Sequence, residues 1–461
     1  MKLVYNIKDK PKFSKVIIYA FQQLLAIMTA TLVVPIIING NASLTGEDAM
    51  SPAAALFGAG IGTLVYLLFT KMKSPVFLGS SFAFIGSMTS AFAGAVSVAA
   101  GYLGIIIGAA LAGLVYVIIA IIVKIAGVNW IDKIMPAVVI GPTVAIIGLS
   151  LASNAISDLQ KANGNGDSRI AILCGIITLI VTMICSSFGK KGIKLIPFII
   201  GILSGYAIAA IFTIIGMVTD TPALLISDFA PLKALVADGV TINTFFSLPD
   251  FTFLTAIKGV KEIDITYIST LIAAYVPVAF VVFAEHLADH KNISSIIETD
   301  LLKDPGLSNT LLGDGIGSFC GALFGGCPNT TYGESVACVA ITKNASVITI
   351  LTTAILAIII SVFNPFVAFV NSIPSCVMGG VCMALYGFIA VSGLKMIQKV
   401  DLEKNKNMFV VSAILITGIG GLSISFGKIT ITTIACALIL GIIINIILSK
   451  AKEEDIEKEN I

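Results

Sequence analysis

The chain has 461 residues, of which 57% are hydrophobic and 12% charged, with a formal net charge of +2 and a mean hydropathy of +1.03. A soluble domain carries roughly 25% charged residues, so these residues cannot cover a water-facing surface and the chain reads as an integral membrane protein. The small net charge and the lack of an isolated basic block argue against nucleic acid as a partner.

The N-terminal stretch MKLVYNIKDKPKFSK is charged and has no small-residue cleavage site before the first apolar run. It reads as a retained cytoplasmic tail over 1–13 rather than a signal peptide. Runs of about 20 apolar residues can cross a bilayer as helices. They occur at 14–38, 49–70, 101–123, 131–152, 169–187, 194–217, 266–288, 307–326, 345–370, 376–396, 407–426 and 429–449. Two more stretches, 75–97 and 327–343, are apolar but broken by Gly, Pro, Ser and Thr. Counting both as crossings gives an all-α polytopic protein of about fourteen transmembrane segments.

Loop charge agrees with that count. With the N-terminus inside, Lys71, Lys73, Lys124, Lys133, Lys190, Lys191, Lys194, Lys291, Lys303 and Lys343 fall on the inner side. Lys395, Lys399, Lys404, Lys406, Lys450 and Lys452 join them, whereas Asp158, Asp220, Asp228, Asp238 and Asp250 fall outside. This is the positive-inside pattern, and skipping either broken stretch would misplace the lysines that follow. The longest polar interval, 218–265, comes after the seventh crossing and suggests two halves of seven. An odd number per half forces opposite orientations, the inverted repeat common in secondary transporters.

The two broken stretches resemble each other. Ser80-Ser81-Phe82-Ala83 lies in one and Thr330-Thr331-Tyr332-Gly333 in the other, each in the third crossing of its half. Non-helical backbone at membrane depth is tolerated where it lines a cavity or pairs with another strand. The two stretches are therefore expected to meet near the midplane, with half-helix N-termini directed at a ligand. Two kinked helices are the alternative. Gly313, Gly317, Gly321 and Gly325 recur every fourth residue, a spacing that lets a neighbouring helix approach closely. The eight cysteines lie mostly in apolar stretches with no CxxC pair, as packing thiols do.

The heptad AEHLADH, 284–290, contains both histidines of the chain. Glu285 and Asp289 are four apart and share a helix face, while His286 and His290 occupy the adjacent one. A helix end reaching the inner surface near Lys291 would account for Asp289 and would make His290 a border residue. Glu285 directly follows AFVVFA and sits deeper. His286 and His290 could share a metal ion, but HExxH places its glutamate after the first histidine, and here it precedes. Glu334 is a further acidic group within an apolar stretch, and intramembrane carboxylates face cavities and mark proton or substrate routes. Carboxylates accept from N–H donors, backbone N–H groups donate to carbonyls, and aromatic rings stack on flat π-systems. A flat neutral solute with alternating N–H and C=O groups, such as a nucleobase, fits that set.

The motifs QQLLAIMTATLVVP (22–35), FLGSSFAFI (77–85), AEHLADH, DLLKDPGL (300–307), PNTTYGES (328–335) and MGGVCMALYG (378–387) are together similar to the nucleobase/ascorbate transporter family, bacterial uracil permeases within it. That resemblance covers nearly the whole chain. It implies fourteen segments in two inverted halves, with short antiparallel strands in segments 3 and 10. It also implies a core domain (14–125 and 266–372) and a gate domain (126–217 and 373–449), with 218–265 an extracellular loop region and 450–461 a cytoplasmic tail. On this resemblance Glu285 and Glu334 bind the base, with Gly333 and Phe82 giving backbone contacts, Tyr332 beside them and Ala30 on the first helix. Asp289, His286 and Tyr386 are the proton-coupling candidates. Three positions depart from the family pattern. Gln22-Gln23 replaces Gln-His, Asp289 replaces a histidine common in uracil permeases, and Ser335-Val336-Ala337 replaces Asn-x-Gly. The expected protein is a plasma-membrane importer and homodimer, needing no cofactor, that couples uracil to the proton gradient by gate-against-core movement. A xanthine or purine permease of the same family, a channel, and an intramembrane metalloenzyme built on His286 and His290 are the alternatives.

Overall fold

The computed structural model describes residues 3–128, 130–131, 135–190, 192–237, 239–426 and 429–449. The 450–461 tail, the first two residues, and Lys133, Lys191, Asp238, Lys450 and Lys452 lie outside the described residues.

Helices dominate. They begin with α1 (Phe13–Asn41) and α2 (Pro52–Phe69), followed by strand β1 (Leu78–Ser80). Next come α3 (Ile85–Gly94), α4 (Val98–Ala126), α5 (Ala137–Ser150), α6 (Ala152–Gln160), α7 (Ser168–Phe188) and α8 (Pro197–Val218). After the polar interval come α9 (Ile265–Ile297), α10 (Leu307–Gly325), β2 (Asn329–Thr331), α11 (Gly333–Thr342), α12 (Val347–Ser361) and α13 (Asn364–Asn371). The chain continues with α14 (Ser375–Ile397), α15 (Asn405–Ile419), the hairpin strands β3 (Ile424–Phe426) and β4 (Ile429–Ile431), and α16 (Thr433–Leu448). Polar side chains fix several helix starts. Ser51 accepts from Ala54 N at 3.2 Å, Ser97 from Ala100 N at 3.1 Å, and Asp264 from Tyr267 N at 2.6 Å.

Eight helices among the described residues are long and apolar enough to cross a membrane, and shorter apolar helices accompany them. Their outward faces are apolar too. On α4, Leu114, Ile118, Ile121 and Ile125 form one stripe at helical spacing, 49–82% exposed. A water-soluble helix would place polar residues there, so the stripe faces lipid and the protein is a multi-pass membrane protein.

The glycine ladder acts as its spacing predicts. α10 lies against α2 and α4, and a Cβ on Gly62 would stand 2.7 Å from Gly317 O, one on Gly58 2.5 Å from Gly321 O. Only hydrogen side chains permit that approach. A second packed group is centred on α14, which touches α5, α6, α7 and α8.

Several expected boundaries move. The 407–426 segment ends as helix at Ile419, because Gly421 adopts φ +75° and the alternating residues after it pair as the β3–β4 hairpin. The 131–152 segment runs on through α6 to Gln160, and 345–370 divides at Asn364-Pro365, since proline cannot supply the helical N–H. The interval 218–265 carries short helices at Ala230–Ala234, Ile242–Phe245 and Thr252–Ala256. A 3₁₀ turn, Ile257–Glu262, follows and is tied to α4 by the Ser97 hydroxyl donating to Glu262. The cysteines are all free thiols, and six of them are buried.

Candidate functional site

The two broken stretches meet. β1 and β2 pair antiparallel with Leu78 opposite Thr331, Gly79 opposite Thr330 and Ser80 opposite Asn329. Ser81 N donates to Pro328 O at 2.9 Å and Tyr332 N to Phe77 O at 3.3 Å, extending the ladder at both ends. A two-strand ribbon leaves its outer edges unpaired, which lipid cannot satisfy. Side chains do so instead. From α2, Thr63 Oγ1 accepts from Leu78 N at 3.0 Å and shares its one proton between Ala59 O at 2.8 Å and Leu78 O at 3.2 Å, while Asn329 Nδ2 donates to Gly58 O at 3.2 Å. From α11, Ser335 Oγ accepts from Phe77 N at 3.1 Å and from Gln23 Nε2 at 2.5 Å.

Gln23 and Ser335 are two of the positions that depart from the family pattern. They touch across 312 residues of sequence, so the two departures form one local arrangement.

α11 starts directly after β2 and carries Glu334 in its first turn, where the helix dipole favours an anion. Gly333 is exposed and Glu334, Glu285 and Asp289 are part-exposed, although each belongs to an apolar segment. An accessible cleft therefore reaches this point. Glu285 and Asp289 line one side of it from α9, within Coulombic reach of each other and of Glu334. The Glu285 side chain makes no hydrogen bond among the described residues, which leaves its carboxylate available to a ligand. Asp289 is held to the strand ribbon: Thr331 Oγ1 donates to its Oδ2 at 2.9 Å.

The other predicted residues are placed as follows. Phe82 sits in the turn after β1, its ring edge-on to Tyr386 of α14 at 6.0 Å between centroids. Tyr386 is buried with its hydroxyl beside the Cys382 thiol. Tyr332 packs its ring on Gly79 and donates its hydroxyl to Ser80 O at 2.7 Å, so it braces the ribbon. Ala30 is buried within α1, which packs against β1 and α11.

The histidines point away from the cleft. His286 Nδ1 is 2.7 Å from Asp314 Oδ2 and its Nε2 3.0 Å from Thr310 Oγ1, both on α10. His290 Nδ1 is 2.8 Å from His286 O and its Nε2 2.7 Å from the Tyr66 hydroxyl of α2. His290 is thus no border residue, because α9 continues to Ile297 and the ring is fully buried. All four ring nitrogens are committed to protein groups, and the metal reading loses its ligands. Asp314, fully buried on α10, escaped the sequence reading. The signal was a lone acidic residue in GDGIGSFCGALFG, where the glycine spacing drew the attention.

Residues 14–428 match the sequence pattern of a group described as the Permease family. The chain is 36% identical over 461 residues to the uracil permease of Bacillus subtilis (strain 168), covering 98% of this chain and 97% of that one. It is 33% identical over 446 residues to the uracil permease of Escherichia coli (strain K12), covering 96% and 93%. Among solved structures, the transmembrane domain of the cyanobacterium bicarbonate transporter BicA superposes with a TM-score of 0.61 over 96% of this chain and 100% of that one. At 15% identity that likeness concerns the fold alone. The chain belongs to the nucleobase/ascorbate transporter family, a family of transporters and not of enzymes, which replaces the metalloenzyme alternative.

Proposed function

We propose that this family member is a proton-coupled nucleobase importer with uracil as its substrate, working by alternating access. The observation that carries the reading is the convergence of Glu285 on α9, whose side chain has no hydrogen-bond partner among the described residues, with Glu334 at the N-terminus of α11 beside a strand ribbon that leads into the turn holding Phe82. Uracil offers N–H donors to the two carboxylates and carbonyl oxygens to backbone N–H groups at 333–334, and its flat ring matches the Phe82 face. The relatives named uracil permease support the same choice. Gln23 and Ser335 favour keeping a second reading, xanthine or another purine, because they replace family residues beside the site.

In this account the chain crosses the plasma membrane fourteen times in two inverted halves, both termini are cytoplasmic, and two copies associate through their gates. The core (14–125, 266–372) holds the ribbon and the carboxylates, and the gate (126–217, 373–449) carries Tyr386. Asp289 carries the coupled proton. Its Thr331 bond ties its charge state to the ribbon, since a carboxylate accepts that bond and a carboxylic acid competes with its own proton. Phe82 against Tyr386 is the contact that core and gate must remake during transport.

Radiolabelled uracil uptake in cells, competed by uracil, xanthine, hypoxanthine and ascorbate across a pH gradient, tests this. Saturable uptake competed best by uracil and collapsed by a protonophore is expected. Non-saturable flux would point to a channel, and stronger competition by xanthine to the purine reading.

A further inference from the structure

The buried groups of α9 that the transport reading leaves unused can be assigned protons by counting donors. Thr310 has one hydroxyl proton, and it lies 3.0 Å from Leu307 O, which can only accept. With that proton on Leu307 O, Thr310 Oγ1 accepts from His286 Nε2 at 3.0 Å, which assigns a proton to Nε2. On the other side of the ring, Nδ1 and Asp314 Oδ2 are 2.7 Å apart and both side chains are fully buried. One proton fits between them. Without it two acceptors would face each other beside a buried negative charge, and with two the donors would clash. The pair is net neutral whichever atom holds the proton. The other oxygen of Asp314 has no hydrogen-bond partner among the described residues, which favours a neutral acid over a buried carboxylate.

The same count at His290 gives the opposite ring. Nδ1 faces the His286 carbonyl at 2.8 Å and must donate. A neutral ring takes the Tyr66 proton at Nε2, 2.7 Å away, and this turns the 2.6 Å Tyr66–Ser74 bond, in which the tyrosine otherwise donates, so that the serine hydroxyl becomes the donor. A charged ring there would have no carboxylate bonded to it among the described residues. The two imidazoles stack at 4.0 Å between centroids with planes 26° apart. Together they pin α9 at two points one turn apart, to α10 through Asp314 and Thr310 and to α2 through Tyr66.

We infer that His286, His290, Asp314 and Tyr66 are positioning residues, a neutral two-ring clamp that fixes the rotation of α9 and with it Glu285 and Asp289. Those carboxylates occupy the adjacent helix face at the same four-residue spacing, so a turn of α9 about its axis would remove both from the cleft. This rests on the reading that the cleft binds uracil.

The chain has only 2 His, so ¹⁵N-histidine labelling of the full-length protein in nanodiscs yields two ring systems, assigned with the His290→Phe variant. A proton on His286 Nε2 and none on His290 Nε2 is expected. An unprotonated His286 Nε2 would overturn the clamp. The second arm is uracil affinity. In Asp314→Asn the amide N–H donates to neutral His286 Nδ1, so affinity should stay within about threefold, whereas Asp314→Leu strands a buried acceptor and should lose about tenfold or more. Wild-type affinity in Asp314→Leu, or equal losses in both variants, refutes the proposal. Should Asp314→Leu fail to give monodisperse protein, Tyr66→Phe, which removes the hydroxyl that His290 and Ser74 share, replaces it with an expected loss of at least about threefold. If the wild type itself fails to bind uracil, the substrate assignment falls, while the ring-proton measurement still decides the clamp.

Discussion

Ser335→Ala would test how far the strand ribbon holds the site in readiness. Ser335 Oγ accepts from Phe77 N at 3.1 Å and from Gln23 Nε2 at 2.5 Å, with Ser335, Phe77 and Gln23 all buried. The variant leaves the Phe77 N–H without a partner, at a cost of about 1–3 kcal/mol for an orphaned buried donor. Gln23 loses less, because its amide still reaches Ser335 O at 3.3 Å. Phe77 leads into β1 and on to Phe82, and Ser335 directly follows Glu334, so the ribbon and the start of α11 loosen where the ligand would lie. A disturbance of about 2 kcal/mol that must be reversed on binding raises the uracil Kd about thirtyfold. Ser335→Thr keeps the hydroxyl and should stay near wild type. Equilibrium binding and thermal unfolding of detergent-purified variants measure both quantities. A Ser335→Ala protein with unchanged Kd and unchanged Tm would show that this bond does not organise the site.

Asp289→Asn should weaken proton-driven accumulation more than equilibrium uracil binding, and equal loss of both would remove the division between binding and coupling carboxylates. Gly58→Val places branched carbon where Gly321 O allows only hydrogen. It should cost about 1–3 kcal/mol or more through separation of α2 and α10, read as a lower Tm. A variant as stable as wild type would contradict the close helix approach. Chelator treatment should leave uracil binding unchanged, since His286 and His290 spend all their ring nitrogens on protein partners. A loss of binding restored by a divalent metal would contradict that.

What could be read from the sequence was local. Gly, Pro and adjacent hydroxyls interrupting an apolar run marked 75–97 and 327–343, because helical backbone at that depth would not need them. The four-residue glycine spacing likewise revealed a helix face without its partner, which proved to be Gly58 and Gly62 of α2. What stayed hidden was pairwise and distant. Nothing in Gln23 or Ser335 alone announces a contact across 312 residues. His290 looked like a border residue because Lys291 follows it, yet α9 continues to a left-handed cap at Glu298, φ +54°, and keeps the ring inside. Asp314 needed only its own burial to be noticed, but its partner His286 sits 28 residues away on another helix. The β3–β4 hairpin continues two apolar runs, and the alternation in Ile424-Ser425-Phe426 and Ile429-Thr430-Ile431 is too brief for periodicity to separate strand from helix.

The most direct measurement is equilibrium titration of uracil onto the purified wild-type protein and its Glu285→Gln variant. Glu285 has no protein hydrogen-bond partner among the described residues and faces the cleft, so the account gives it to the substrate alone. Wild-type protein should bind uracil saturably, and Glu285→Gln should lose high-affinity binding with its Tm unchanged. Unaltered uracil affinity in Glu285→Gln would contradict the account at its centre.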